Sequence, residues 1–312
     1  MMPIWIQLVT AVSAGLVSAL LGIALVPYLQ KLRMLPPRTP EQADEAAGEE
    51  RRPILGGLLI LAGILFALVL GGTLYLQFSG ADRTGAAFAG ELRVLLAAGV
   101  YSAFLCGLGI IADLQTVRGS YRKKLWDYLL YPAVFCAALA SFNLLGFTHA
   151  QLAANHWLML LPLPACLCFW LTQGLDRNTD GAALTVNAVE LLVLTMLFLR
   201  ESLSLPSVLT LAGAGACLGS MVWCMHPAKC RISRTGSYLL GGLVPSLCLL
   251  TGMYKTLALF FAASALQQLF RIKGRAHHTL TEGMEEAGIA PLPRIAILAG
   301  ITAFCSVLAM IS

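Results

Sequence analysis

The chain alternates long apolar runs with short polar ones. Ten apolar segments can be traced, at about 4–29, 54–76, 94–112, 125–148, 156–175, 181–199, 206–226, 236–254, 256–270 and 294–311. A helix rising about 1.5 Å per residue needs about 20 apolar residues to cross about 30 Å of hydrocarbon, so most of these segments are long enough to span a bilayer. The pattern predicts an all-α, polytopic integral membrane protein of about ten transmembrane helices, forming a single domain over residues 1–312. No period suggesting a solenoid or duplicated transporter halves runs through it. Polar side chains inside the segments are sparse. Glu190 lies near the middle of the sixth segment, one helical turn from Asn187. A carboxylate there is costly unless it is paired or protonated, so the pair reads either as a relay or ligand contact or as an interhelix hydrogen bond.

Charge gives the runs a direction. Seventeen of the 21 Lys and Arg fall in the loops after segments 1, 3, 5, 7 and 9, whereas the opposite loops hold only Arg83, Arg93, Arg200 and Lys255. Basic residues in short loops are retained on the cytoplasmic side during insertion. The first set of loops is therefore expected to be cytoplasmic and both termini extracytoplasmic. The first segment has no basic residue before it and Lys31, Arg33 and Arg38 after it, which reads as an uncleaved signal anchor.

Composition narrows the class. With 58% hydrophobic and 12% charged residues, the chain is not a soluble globular domain. The net charge of +5 lies beside lipid and suits anionic head groups or anionic substrates, not nucleic acid. The same charge also serves topology alone. Eight of the nine Cys lie in apolar segments and only Cys230 in a loop, so no disulfide framework is implied. Cys166 and Cys168, two apart on a helix, point to different faces and make a poor metal pair. Trp5, Trp126, Trp157 and Trp223 near segment ends suit the head-group layer.

Five stretches on the basic face each begin or end a helix and contain Gly beside acids, bases or His. They are RRPILGGLLIL (51–61), GIIADLQTVRGSYRKKL (109–125), LTQGLDRNTDGAAL (171–184), PAKCRISRTGSYLLGGL (227–243) and FRIKGRAHHTLTEGM (270–284). Gly permits close backbone approach and helix N-termini attract phosphate, so a phosphorylated ligand is physically sensible at this interface.

In order, these stretches resemble the polyprenyl-phosphate N-acetylhexosamine-1-phosphate transferase family (glycosyltransferase family 4), from about residue 20 to 311 and including the ten-helix plan. Arg52 to Leu58 is similar to the family's TPTMGGL, and Ser120 to Leu125 to its SARQKL. Pro227-Ala228-Lys229, Thr235-Gly236-Ser237 and Leu240-Gly241-Gly242 are similar to PAKVFMGDTGSLALGG, and FRIKGRAHH stands in register with FRMAPIHHH. The resemblance implies transfer of a sugar-1-phosphate (N-acetylmuramoyl-pentapeptide or N-acetylhexosamine phosphate) from a UDP-sugar to undecaprenyl phosphate. This would occur at the cytoplasmic face of the cell membrane in envelope or peptidoglycan synthesis, with UMP released and Mg²⁺ required. Hard oxygen ligands suit Mg²⁺, and a cation beside a diphosphate neutralises its charge. Undecaprenyl phosphate, a UDP-sugar and membrane lipids are the implied partners, and a homodimer is among the expected assemblies.

The chain departs from the family's pattern at the acids. The paired Asp after the third helix reads Ala112-Asp113, so one acid remains as a metal or phosphate contact, with capping of the turn as the alternative. NLTDGLDGLA becomes Trp170 to Thr179, in which Gln173 replaces the first Asp and Asp176 is retained as a second tentative metal residue. Asp180, four residues on, offers a second acid if the helix start slips, whereas Asn178 or Asp180 otherwise reads as a helix N-cap. The metal-binding Asp of GDTGS is replaced by Arg234, which repels Mg²⁺ but pairs with phosphate in a bidentate fork. The His triplet becomes Ala276-His277-His278, with both His candidates for phosphate donation or acid–base work beside Arg271, Lys273 and Arg275. As an enzyme, the chain is expected to use Asp113, Asp176, His277 and His278, with Lys124, Arg234, Arg271 and Arg275 holding substrate. Loss of acids at positions 112, 173 and 234 motivates a second reading: a catalytically inactive relative that binds polyprenyl phosphate, UDP-sugar or an assembly partner. A lipid or solute transporter is the third, and it predicts a membrane-crossing cavity around Glu190. On either of the first two readings, Asp113, Asp176, Arg234 and His277 converge on one groove.

Overall fold

The computed structural model describes residues 3–35, 52–78, 85–119, 123–173, 175, 181–262, 264–266 and 280–311. Within them every regular element is helical. The chain runs through α1 (Ile4–Lys31), α2 (Gly57–Phe78), α3 (Ala86–Val117) and α4 (Lys123–Ala140), which continues as a π-helical turn, Ser141–Gly146. Short α5 (His149–Ala154) and a 3-10 turn, His156–Leu160, lead into α6 (Pro162–Thr172). Then follow α7 (Ala182–Arg200), α8 (Ser204–Cys224), α9 (Ser233–Leu250), α10 (Tyr254–Phe260), α11 (Leu280–Glu286) and α12 (Pro291–Ile311).

Among the described residues seven helices are long and apolar enough to cross a membrane: α1, α2, α3, α4 with its π-turn, α7, α8 and α12. The molecule is thus an all-α polytopic membrane protein. The three remaining predicted segments fall short for separate reasons. The fifth starts as a 3-10 turn and becomes α6 only at Pro162, a residue pre-set for a first helical turn. The eighth is α9, diluted by Ser233, Arg234, Thr235 and its glycines, yet it is the most enclosed helix, buried throughout from Thr235 to Leu250. In the ninth, α10 ends at Phe260, and residues 267–270 lie outside the described ones.

Packing follows small residues. On α1, Ile6, Thr10, Ala14, Ser18, Gly22, Val26 and Leu29 are buried at a spacing of four or three, while Leu8, Val12, Leu16, Leu20 and Ile23 on the other side are exposed. Apolar side chains gain nothing by leaving lipid, so close backbone approach at small residues carries helix association. The approach is tight enough that a Cβ on Gly219 of α8 would stand 2.1 Å from the Gly15 carbonyl oxygen. Trp223 Nε1 donates to the Ala19 carbonyl oxygen at 2.8 Å and Ser18 Oγ to that of Leu59 at 2.9 Å, pinning α8 and α2 to α1.

The third helix is longer than its apolar run because its acids do not end it. Glu91 near one end accepts from Leu205 N at 2.8 Å, satisfying a free N–H at the start of α8. Asp113 near the other end does the same for α9. Each carboxylate is consumed by a neighbouring helix, so α3 runs on past both.

Candidate functional site

One end of the bundle gathers the C-terminal ends of α1, α3 and α8 with the starts of α2, α7 and α9. Segment 53–57 and segment 230–232 pair through their backbones: Arg231 N donates to Pro53 O at 2.9 Å, Gly56 N to Arg231 O at 2.9 Å and Gly57 N to Ile232 O at 3.2 Å. Two motifs nearly 180 residues apart therefore lie side by side. Glycine is required here by space, since a Cβ on Gly57 would stand 2.1 Å from Gly236 N, and one on Gly109 would stand 2.7 Å from Arg234 O. Arg33, Arg118, Lys229 and Arg231 lie exposed at this same end. Lys229 Nζ rests 5.4 Å from the Trp223 ring centroid.

Asp113 is fully buried at the centre of this junction. Its Oδ1 accepts from Ser233 Oγ at 2.6 Å and from Arg234 N at 3.3 Å. Its Oδ2 accepts from Thr235 N at 3.0 Å and from Thr235 Oγ1 at 2.7 Å. A carboxylate offers about four lone-pair positions, and the first turn of α9 fills them. Two of the four donors are backbone N–H groups that a helix start leaves orphaned, so Asp113 is an N-cap supplied by a different helix and favoured by the α9 dipole. Ser233 holds a left-handed backbone, φ +57, at the position where the family motif carries Gly.

Arg234 leaves this cap towards solvent. Its Nη1 donates to Thr116 Oγ1 at 2.7 Å and stands 3.9 Å from Asp113 Oδ1. Thr116 Oγ1 in turn donates to the Ala112 carbonyl oxygen at 2.8 Å, fixing the hydroxyl. Nη1 is thus held on Thr116, and the side chain is 33% exposed beside a carboxylate that is 0% exposed.

The structure brings two of the predicted site residues together, Asp113 and Arg234. Lys124 stands in the first turn of α4, with its side chain outside the described ones. Asp176, Arg271, Arg275, His277 and His278 lie outside the described residues. Thr116, Ser233 and Thr235 are contacts that sequence reasoning missed. Their only signal is a hydroxyl near each acid or base, because the partners are about 120 residues apart in the chain.

The described residues do not fit Mg²⁺. The one acid of the predicted pair has its acceptor positions occupied by four donors, a guanidinium stands 3.9 Å away, and the neighbouring position is the buried methyl of Ala112. No group of three or more His, Cys, Asp or Glu able to hold a metal occurs among the described residues.

Two features lie away from this junction. Glu190 is buried in α7, and neither carboxylate oxygen has a hydrogen-bond partner among the described residues, nor has Asn187 Oδ1. An apolar cavity of about 520 Å³ lies between α6 and α10, lined by Trp157, Leu161, Leu171, Leu249, Tyr254 and Phe261 among others.

Fold and junction together define a class: an all-α, multi-pass membrane protein with an enclosed helix start, capped from a neighbouring helix, at its basic end. Curated relatives within the family of the motif resemblance bear the name phospho-N-acetylmuramoyl-pentapeptide-transferase. The chain is 30% identical over 272 residues to the phospho-N-acetylmuramoyl-pentapeptide-transferase of Picosynechococcus sp., covering 80% of this chain and 66% of that relative. The enzymes of that name from Corynebacterium jeikeium and Synechocystis sp. are 28% and 24% identical, covering 76% and 88% of this chain and 76% and 73% of theirs. These similarities support the family. No family model matches the chain.

Proposed function

We propose that the chain is a membrane-embedded member of the polyprenyl-phosphate sugar-1-phosphate transferase family, acting in peptidoglycan or envelope synthesis. Its basic end, cytoplasmic by the distribution of Lys and Arg, takes undecaprenyl phosphate and a UDP-sugar carrying N-acetylmuramoyl-pentapeptide or an N-acetylhexosamine. The observation that carries this reading is the junction of the PILGG and RISRTGS stretches around the Asp113–Arg234 pair. It unites three of the five stretches that carry the resemblance, and it does so at the basic end. The apolar cavity between α6 and α10 suits an isoprenoid chain, since an apolar ligand needs concave apolar walls.

The full occupation of Asp113 favours a second reading, a relative that binds these substrates without transferring the sugar phosphate. UMP release separates the two. Purified protein is incubated with undecaprenyl phosphate, Mg²⁺ and UDP-N-acetylmuramoyl-pentapeptide or UDP-N-acetylglucosamine. A transferase releases UMP in proportion to lipid-linked product. Ligand binding with no UMP above a protein-free control assigns the chain to the non-transferring reading, and absence of both overturns the proposal.

A further inference from the structure

We infer that this chain recognises a phosphate group through the anchored guanidinium of Arg234, with no divalent cation between protein and ligand. The inference rests on the reading that the basic end takes phosphorylated substrates, and it names how the phosphate is held there.

Three observations carry it. First, a cation at this junction would have to displace Ser233 Oγ, Thr235 Oγ1 or the N–H groups of Arg234 and Thr235 from Asp113, leaving buried or part-buried donors unsatisfied. Second, the nearest charge to Asp113 among the described residues is already positive. Arg234 Nη1 stands 3.9 Å from Asp113 Oδ1, so a dication on that carboxylate would face the guanidinium within a few ångström. Third, the guanidinium is positioned before any ligand arrives. Thr116 Oγ1 holds Nη1 at 2.7 Å while donating to Ala112 O at 2.8 Å, and the side chain remains 33% exposed. Little rotamer entropy is left to lose when such a fork meets a phosphate, and the planar guanidinium matches two phosphate oxygens at once. The same chemistry describes the phosphate of a polyprenyl lipid and the diphosphate of a UDP-sugar.

The test is equilibrium binding to the full-length protein in detergent micelles, with undecaprenyl phosphate in one arm and UDP in the other. Each arm is run in EDTA and in millimolar Mg²⁺. The expected result is an affinity in EDTA within about twofold of that in Mg²⁺ in at least one arm, which also identifies the source of the phosphate. In that arm Arg234→Gln should weaken binding by tenfold or more, a loss of the size of one charge-assisted phosphate contact. Arg234→Lys should recover part of it, since a point charge replaces the fork. Thr116→Val keeps both charges and removes the anchor, and should weaken binding severalfold; it carries the test where Arg234→Gln is not monodisperse. Binding abolished by EDTA and restored by Mg²⁺ overturns the inference while leaving the substrate reading intact. Wild-type affinity in both Arg234→Gln and Thr116→Val also overturns it. Failure of either ligand to bind wild-type protein under any condition overturns both the inference and the substrate reading.

Discussion

Asp113 and Arg234 divide one site into a structural and a presenting half. The carboxylate is spent on α9, and the guanidinium is held at its rim. Removing an acceptor that serves four donors leaves two backbone N–H groups and two hydroxyls unsatisfied, those of Thr235 buried and those of Ser233 and Arg234 partly so. Asp113→Ala is expected to destabilise the protein by on the order of 3 kcal/mol, as for breaking a buried charged pair. Asp113→Asn, which keeps one acceptor oxygen, should cost about half as much. Thermal unfolding in detergent checks this, with the same losses expected in EDTA and in Mg²⁺; losses that appear only in Mg²⁺ would assign Asp113 to a metal. The sequence showed an acid at position 113 and a base at 234 but offered metal contact and capping as equals for the acid. The decision lies in the hydroxyls of Ser233 and Thr235, which only the fold brings to it.

At the scale of elements, α3 acts as a strut that caps two neighbours, α8 through Glu91 and α9 through Asp113. This explains why the 94–112 apolar run underestimates a helix that spans Ala86–Val117. Acids at run ends read as exits to water, and here they answer N–H groups of other helices. The α1–α8 contact shows the opposite economy, in which missing side chains make the interface. Gly219→Val would drive a side chain into the Gly15 backbone, where the Cβ alone already falls 2.1 Å from the carbonyl oxygen. The backbones must separate to admit it, so a loss of about 2 kcal/mol or more is expected. Thermal unfolding should show it, whereas Leu16→Val on the exposed face of α1 should leave the transition unmoved.

For the whole molecule, the helical class and eight of the ten segment positions were legible to within a few residues, because apolar length and flanking polarity are local signals. The end that holds Arg33, Arg118, Lys229 and Arg231 was legible too, and the motif junction lies at it. The spanning status of α6 and α9 was not, because a proline-started helix and a Ser- and Gly-rich enclosed helix weaken the same apolar signal that marks the others. The sequence also announced the conflict at the site, with Arg234 where the family pattern has an acid. What it did not contain was the anchoring of that arginine on Thr116 and the saturation of Asp113.

If Arg234 holds the ligand, phosphate at this junction meets protein and not metal. Phosphorus NMR of undecaprenyl phosphate bound to the wild-type protein, with a trace of paramagnetic Mn²⁺ in place of Mg²⁺, tests it most directly. A metal within contact distance of the phosphate would broaden its resonance beyond detection, because paramagnetic relaxation falls steeply with separation. The expected bound resonance persists on Mn²⁺ addition and disappears in Arg234→Gln through loss of binding. A bound resonance that vanishes with Mn²⁺ and returns with EDTA would contradict it.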